Sequence, residues 1–221
     1  MPAEAFSNSD ETPAVRGFLH RPAEPSGDGL VLTHGAGGNC NAPLLIALAE
    51  KFADAGWTVL RCDLPSRQLR ATGPPRGNGS EDREGLRRAP QVLRKIVSGR
   101  IFLGGQSYGG RQATILAAAE PGLADGLLLL SYPLHPPGKP AQLRTAHLPK
   151  IKTPSLFVSG SKDPFGSPQE IQFALKLIPA SVEFLLIEGA GHDLGFGRRV
   201  RNGMEDVPER IVRAFLAATS S

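Results

Sequence analysis

A serine, an aspartate and a histidine, in that chain order, are the residues best suited to do chemistry. Ser107 lies in Gly105-Gln106-Ser107-Tyr108-Gly109, after the apolar run Arg100-Ile101-Phe102-Leu103-Gly104 and before Gly110-Arg111-Gln112-Ala113-Thr114-Ile115-Leu116, which reads as a helix. A serine between glycines at a sharp strand-to-helix turn fits a nucleophile elbow, in which the hydroxyl is exposed and the backbone strained. The pentapeptide alone is weak, because a glycine-rich chain can produce it by chance. A serine hydroxyl also needs a base within hydrogen-bond reach and a third group to orient that base. Asp163, in Ser159-Gly160-Ser161-Lys162-Asp163-Pro164, and His192, in Gly189-Ala190-Gly191-His192-Asp193, each follow an apolar, strand-like run. Singly, Asp163 could start a turn before proline and His192 could be an exposed loop residue. Taken together, the residue types and their order point to acyl transfer.

That chemistry also needs amide donors for a tetrahedral oxyanion. One expected donor is the N–H of Tyr108, directly after the serine. The other comes from the loop His34-Gly35-Ala36-Gly37-Gly38-Asn39, with Ala36 preferred and Gly37 second. A plain strand-to-helix connection is the alternative for this loop. A phosphate loop is disfavoured, since the closing Lys-Ser/Thr is missing. His34 is expected to anchor the loop. Asp193 is a rival acid, but its adjacency to His192 makes reaching the ring nitrogen difficult. Asp125 precedes its strand and so falls at the wrong sheet edge. Tyr132, His135, Phe165 and Phe196, with Tyr108, are expected to line an apolar acyl pocket. Arg111, Arg67 and Arg70 could offer charge to an acidic group; for Arg111 the alternative is an ion pair or bonds to loop carbonyls.

The elements that must position these residues alternate between strands and helices, which predicts an α/β fold with a mostly parallel sheet covered on both faces. Strands are expected at Val15–Leu19, Leu30–His34, Trp57–Cys62, Arg100–Gly104, Gly126–Ser131, Ser155–Ser159 and Val182–Ile187. Helices are expected at Pro43–Ala53, about 81–97, after Ser107, from Ser167-Pro168, and about 204–217. Residues 1–12 read as a flexible N-terminus and 63–82 as a long loop rich in Pro, Gly and Arg. The proline-broken stretch Tyr132–Pro149 is too short for a helical lid. One domain is expected over 1–221.

Bulk composition excludes several classes. No stretch approaches the roughly 20 apolar residues that span a bilayer. The first residues lack a charged-then-apolar leader pattern, so a cytoplasmic location and no membrane partner are expected. Cys40 and Cys62 form no disulfide framework and have no neighbour at zinc-ligand spacing, so no metal is expected. The net charge of +4 comes from arginine groups at 67–76, at 83–88 and at Arg198, Arg199 and Arg201. Without interleaved aromatics or a recognition motif, these groups predict a solvated basic surface and no nucleic-acid partner.

Nearly the whole chain resembles the α/β-hydrolase superfamily, through His34-Gly35-Ala36-Gly37-Gly38, the elbow at Ser107 and the turns of Asp163 and His192. It is similar to small capless members of the dienelactone-hydrolase type, although a cysteine serves there as nucleophile where this chain has Ser107. Gly109-Gly110-Arg111, Tyr132-Pro133-Leu134-His135-Pro136-Pro137-Gly138 and Lys162-Asp163-Pro164-Phe165-Gly166 resemble the Tex-type and KANSL-like group of predicted hydrolases. That group has no settled substrate, and its eukaryotic relatives include components of complexes. With the resemblance, the triad predicts a cofactor-free serine hydrolase, and the short proline-rich stretch after Tyr132, which leaves the site open, favours small esters or thioesters; a monomer or homodimer is expected. A catalytically weak or inactive interaction protein on the same fold is the alternative.

Overall fold

The computed structural model describes residues 3–10, 12–197 and 199–219. Met1, Pro2 and Glu11 of the N-terminal stretch, and Arg198 of the third basic group, lie outside the described residues. The strands are β1 Glu4–Asn8, β2 Val15–His20, β3 Gly29–Thr33, β4 Thr58–Asp63, β5 Ile101–Gln106, β6 Gly126–Leu130, β7 Ser155–Gly160 and β8 Val182–Ile187. They form one sheet in the order β1-β2-β4-β3-β5-β6-β7-β8. β2 runs antiparallel to both its neighbours, and every other pair is parallel. The helices are α1 Pro43–Asp54, α2 Pro65–Leu69, α3 Ser80–Leu93, α4 Tyr108–Ala119, α5 Pro168–Leu175 and α6 Val207–Thr219. The chain is thus a single α/β domain without a lid, and the stretch after β6 holds only a 3-10 turn at Leu148–Lys150.

The central strands β3, β6 and β7 are buried along their whole length, which explains their unbroken apolar or small-residue runs. Side chains alternate across the sheet. Val31, Leu103 and Leu129 face one layer with Leu86, Ala113, Leu116 and Ile171 of α3, α4 and α5. Leu30, Leu32, Leu128 and Leu130 face the other, with Leu45, Leu48, Phe52, Ile211 and Phe215 of α1 and α6. In that second layer Trp57 stacks on Phe102 at 4.6 Å, and Phe215 meets Phe102 edge-on at 5.4 Å. Each such buried phenylalanine contributes about 1.5–3 kcal/mol. Both cysteines are buried and free, and burial pushes the Cys40 thiol up to about 12.

Four expectations are corrected. Glu4–Asn8 is an ordered edge strand, paired in register with β2 from Glu4↔Leu19 to Asn8↔Val15. Its side chains are mostly exposed, so backbone pairing holds it and no apolar alternation marks it. The long loop expected over 63–82 is shorter, because β4 runs to Asp63, α2 occupies Pro65–Leu69 and α3 starts at Ser80. Pro65 opens α2 at its first turn, where its missing N–H costs nothing. The helix expected to reach residue 97 ends at Leu93, and the closing helix starts at Val207. β3 connects onward to β4 on one side while β5 flanks it on the other. At such a switch point the loops after adjacent strands diverge and leave a crevice at the C-terminal sheet edge.

Candidate active site

β5 ends at Gln106 and α4 begins at Tyr108, so Ser107 alone makes the turn, with φ 51 and ψ −112. A left-handed φ is strained for serine and persists only where the surroundings enforce it. Here the Ser107 N–H donates to the Leu130 carbonyl at 2.7 Å, and its own carbonyl accepts from Arg111 N–H at 2.9 Å. The flanking glycines permit close backbone approach. A Cβ on Gly105 would stand 2.7 Å from the Gly109 carbonyl carbon, and one on Gly109 would stand 2.6 Å from the His34 oxygen.

Asp163 and His192 lie in the turns after β7 and β8, and those turns are in direct backbone contact. A Cβ on Gly160 would sit 2.4 Å from the Ala190 carbonyl oxygen. Lys162 N–H donates to that oxygen at 2.8 Å, Ser161 N–H donates to the Ile187 carbonyl at 3.0 Å, and Gly189 N–H donates to Ser161 Oγ at 2.8 Å. This places His192 Nδ1 at 2.8 and 3.0 Å from the two Asp163 carboxyl oxygens, and His192 Nε2 at 2.8 Å from Ser107 Oγ. With Asp163 as a carboxylate acceptor, the proton belongs on Nδ1 and Nε2 is free to accept from the serine hydroxyl. The Asp163 side chain is 2% exposed and that of His192 25%. Phe165 braces both: its N–H donates to Asp163 Oδ1 at 2.9 Å, and its ring stacks on the imidazole at 4.1 Å.

The loop after β3 lies against the elbow, with a Cβ on Gly35 placed 3.4 Å from Ser107 Cβ. Tyr108 is the first residue of α4, so its N–H has no intrahelical acceptor. Among the described residues, the N–H groups of Tyr108, Ala36 and Gly37 donate to no protein acceptor.

The family model described as Alpha/beta hydrolase domain matches residues 27–219. The chain belongs to the alpha/beta hydrolase family. Solved structures share its fold. An alpha-beta serine hydrolase homologue from Coxiella burnetii is 20% identical, with 97% of this chain and 98% of that one covered at a TM-score of 0.75. A dienelactone hydrolase from Anabaena variabilis is 22% identical, with 98% and 97% covered at 0.76. A serine hydrolase without lid from Xanthomonas campestris is 17% identical, with 97% and 96% covered at 0.71.

In this member of the alpha/beta hydrolase family a side-chain network that motif spacing does not show ties Tyr108 to the loop after β3. Asp82, a carboxylate 2% exposed in the first turn of α3, accepts from Tyr108 Oη at 2.8 Å, from Ser66 N–H at 2.8 Å and from Ser66 Oγ at 2.9 Å. The neighbouring Arg67 donates to the Ala36 carbonyl at 2.9 Å and to the carbonyls of Gly73 and Arg70. One connected set of contacts therefore runs from Tyr108 through Asp82 and α2 to Ala36. Burial, and then the bond to Asp82, push the Tyr108 phenol well above its ordinary range. His34 anchors the loop: its Nδ1 bonds the Gly35 carbonyl at 2.8 Å and its Nε2 accepts from Leu64 N–H at 3.1 Å. Burial holds its imidazole below the usual histidine range.

The residues expected around the mouth divide. Phe165 is at the site. Tyr132 is instead a core residue, 3% exposed, with its ring edge-on to Phe157 and its hydroxyl donating to the Arg144 carbonyl at 2.6 Å. Phe196 lies in the opposite core layer with residues of α1 and α6. His135 is 5% exposed and bonds the Pro136 carbonyl through Nδ1. Near a strand end, an apolar side chain gains as much from the core as from a pocket wall, which is why Tyr132 and Phe196 turn inward. Arg67 and Arg70 bond loop carbonyls and so hold the loop. Asp193 Oδ1 accepts from Gly195 N–H at 3.0 Å and caps its own turn. Asp125 accepts from Ile101 N–H at the far edge of the sheet.

Proposed function

We propose that the chain is a serine hydrolase of small carboxylic esters or thioesters, working through an acyl-enzyme on Ser107. The observation that carries this reading is the unbroken hydrogen-bonded line from Asp163 through both ring nitrogens of His192 to Ser107 Oγ. Ser107 Oγ attacks the carbonyl carbon as its proton passes to His192 Nε2, while Asp163 holds Nδ1–H and balances the imidazolium. The oxyanion accepts from the N–H groups of Tyr108 and Ala36, with Gly37 in reach of the same loop. Removing one such donor typically costs about 10²–10³ in rate. Collapse breaks the bond to the leaving oxygen or sulfur, which takes the proton from His192. A water then gives its proton to His192, attacks the acyl carbon and releases the acid with Ser107 restored.

The lidless stretch after β6 and the partial exposure of His192 favour short acyl groups. A fluorophosphonate probe should label the wild type and leave Ser107→Ala unlabelled, with His192→Ala labelled far more slowly. An unlabelled wild type, or equal labelling of Ser107→Ala, would make the chain a non-catalytic interaction protein on a hydrolase fold. p-Nitrophenyl esters of graded length should be cleaved in favour of short chains, and a preference for long chains would contradict the open site.

A further inference from the structure

Of the arginines near the site, Arg67 and Arg70 donate from their terminal nitrogens to loop carbonyls, although Arg67 Nε is also buried without a partner, whereas Arg111 donates to none. It lies in the first turn of α4, and its backbone N–H is bonded to the Ser107 carbonyl. Its Nε is buried without a partner, and among the described residues its guanidinium makes no hydrogen bond or ion pair. A second guanidinium stands close by. Arg144, in the stretch after β6, is held by its N–H to the Leu134 carbonyl at 2.8 Å and by the Tyr132 hydroxyl on its own carbonyl at 2.6 Å. Its Nη1 donates to the Pro133 carbonyl at 3.2 Å, and it too has no carboxylate partner among the described residues.

Burial, and after it Arg111, hold Arg144 below the usual arginine range. The same two causes bring His147 down to about 4, so its imidazole is neutral near pH 7 and bonds Thr114 Oγ1 at 2.9 Å. Two part-buried guanidinium groups near one another, with no acid between them, are unfavourable until an anion enters. The planar fork of arginine suits a carboxylate, which can take two parallel N–H bonds.

We propose that Arg111, supported by Arg144, forms a carboxylate-binding subsite beside Ser107, and that the natural substrate is an ester or thioester bearing a free carboxylate. This rests on the reading of Ser107 as nucleophile for turnover, but not for binding. The subsite explains why an arginine is kept one turn from a helix N-terminus, where the helix field disfavours a cation. It also explains why the guanidinium is left unpaired while the neighbouring arginines are bonded.

Binding is tested first on Ser107→Ala, by calorimetry with monomethyl glutarate against the neutral methyl butyrate. The charged ester should bind more tightly, and its advantage should shrink as salt is raised. Adding Arg111→Met should reduce the charged ester's affinity by about 10–100-fold relative to the neutral one, and Arg144→Met by less. Turnover by the wild type then places the carboxylate. Monomethyl glutarate against methyl butyrate tests the acyl side, and 4-acetoxybenzoate against 4-methylphenyl acetate tests the leaving group. Preference for either charged partner supports the subsite. Should Arg111→Met fail to fold, competition in the wild type still decides: glutarate should inhibit hydrolysis of phenyl acetate, and glutaramide should not. Equal binding of charged and neutral esters, or equal losses of both in Arg111→Met, overturns the proposal even if phenyl acetate is hydrolysed. Anion binding without any labelling or turnover overturns the hydrolase reading and leaves the subsite standing.

Discussion

The two sides of the site are built on different principles. On the Asp163–His192 side, backbone carries the geometry: two turns interlock through Gly160, Ala190 and Ser161, and the functional side chains follow from where the strands end. On the side of Tyr108 and the loop after β3, side chains carry it: Tyr108, Asp82, Ser66 and Arg67 reach between α4, α3, α2 and that loop. The difference predicts how each side fails. A change in the first moves the histidine and acid together, or removes a reacting group outright. On the proposed mechanism, a change in the second loosens amides that stabilise charge and leaves Ser107 and His192 in place.

The largest effect separating the two should come from Asp163→Asn, whose amide oxygen is held by Phe165 N–H so that its NH2 faces His192 Nδ1 and drives the ring proton to Nε2. Steady-state kinetics should show kcat lowered by about 10³–10⁴ with the fold intact by circular dichroism. Loss of less than tenfold would mean that another group orients the histidine. Next comes Gly160→Ala, whose new Cβ would meet the Ala190 carbonyl oxygen at 2.4 Å, a contact no rotamer can relieve. Chemical denaturation should show a loss of about 2–4 kcal/mol, accompanied by a fall in kcat. Unchanged stability would mean that the two turns are free to separate.

Smaller, and on the other side, is Asp82→Asn. It turns an acceptor of three hydrogen bonds into a group with one acceptor oxygen, so the Tyr108 and Ser66 hydroxyls lose the charged acceptor they share. Stability should fall by about 2 kcal/mol, and kcat by about tenfold with little change in KM, since an oxyanion forms only in the transition state. A rise in KM with kcat unchanged would assign Asp82 to substrate binding instead. Asp193→Asn should be the mildest, within about twofold of wild type, because an amide oxygen can still accept from Gly195 N–H.

The same division explains what could be read in the chain. Ser107, Asp163 and His192 each sit in a short turn after an apolar run, and order plus turn chemistry was enough to associate them. The parallel core strands are equally plain, because burial on both faces forces unbroken apolar residues such as Leu127–Leu130. Asp82 was not legible, because its partners lie 16 and 26 positions away and it looks like an ordinary acidic helix start. Arg67 has the same difficulty, reaching Ala36 across 31 positions. Charge and flexibility in the sequence suggested a substrate contact where the fold uses the guanidinium to tie a loop. β1 was missed because an exposed edge strand needs only backbone partners.

The most direct test of the account is to catch the acyl group on the enzyme. Wild-type protein turning over p-nitrophenyl acetate is quenched in acid, digested and examined by mass spectrometry beside Ser107→Ala. The account predicts an acetyl group on the peptide containing Ser107 in the wild type, and none there in Ser107→Ala. Turnover with no acylated Ser107, or acylation at another residue that persists in Ser107→Ala, would contradict it.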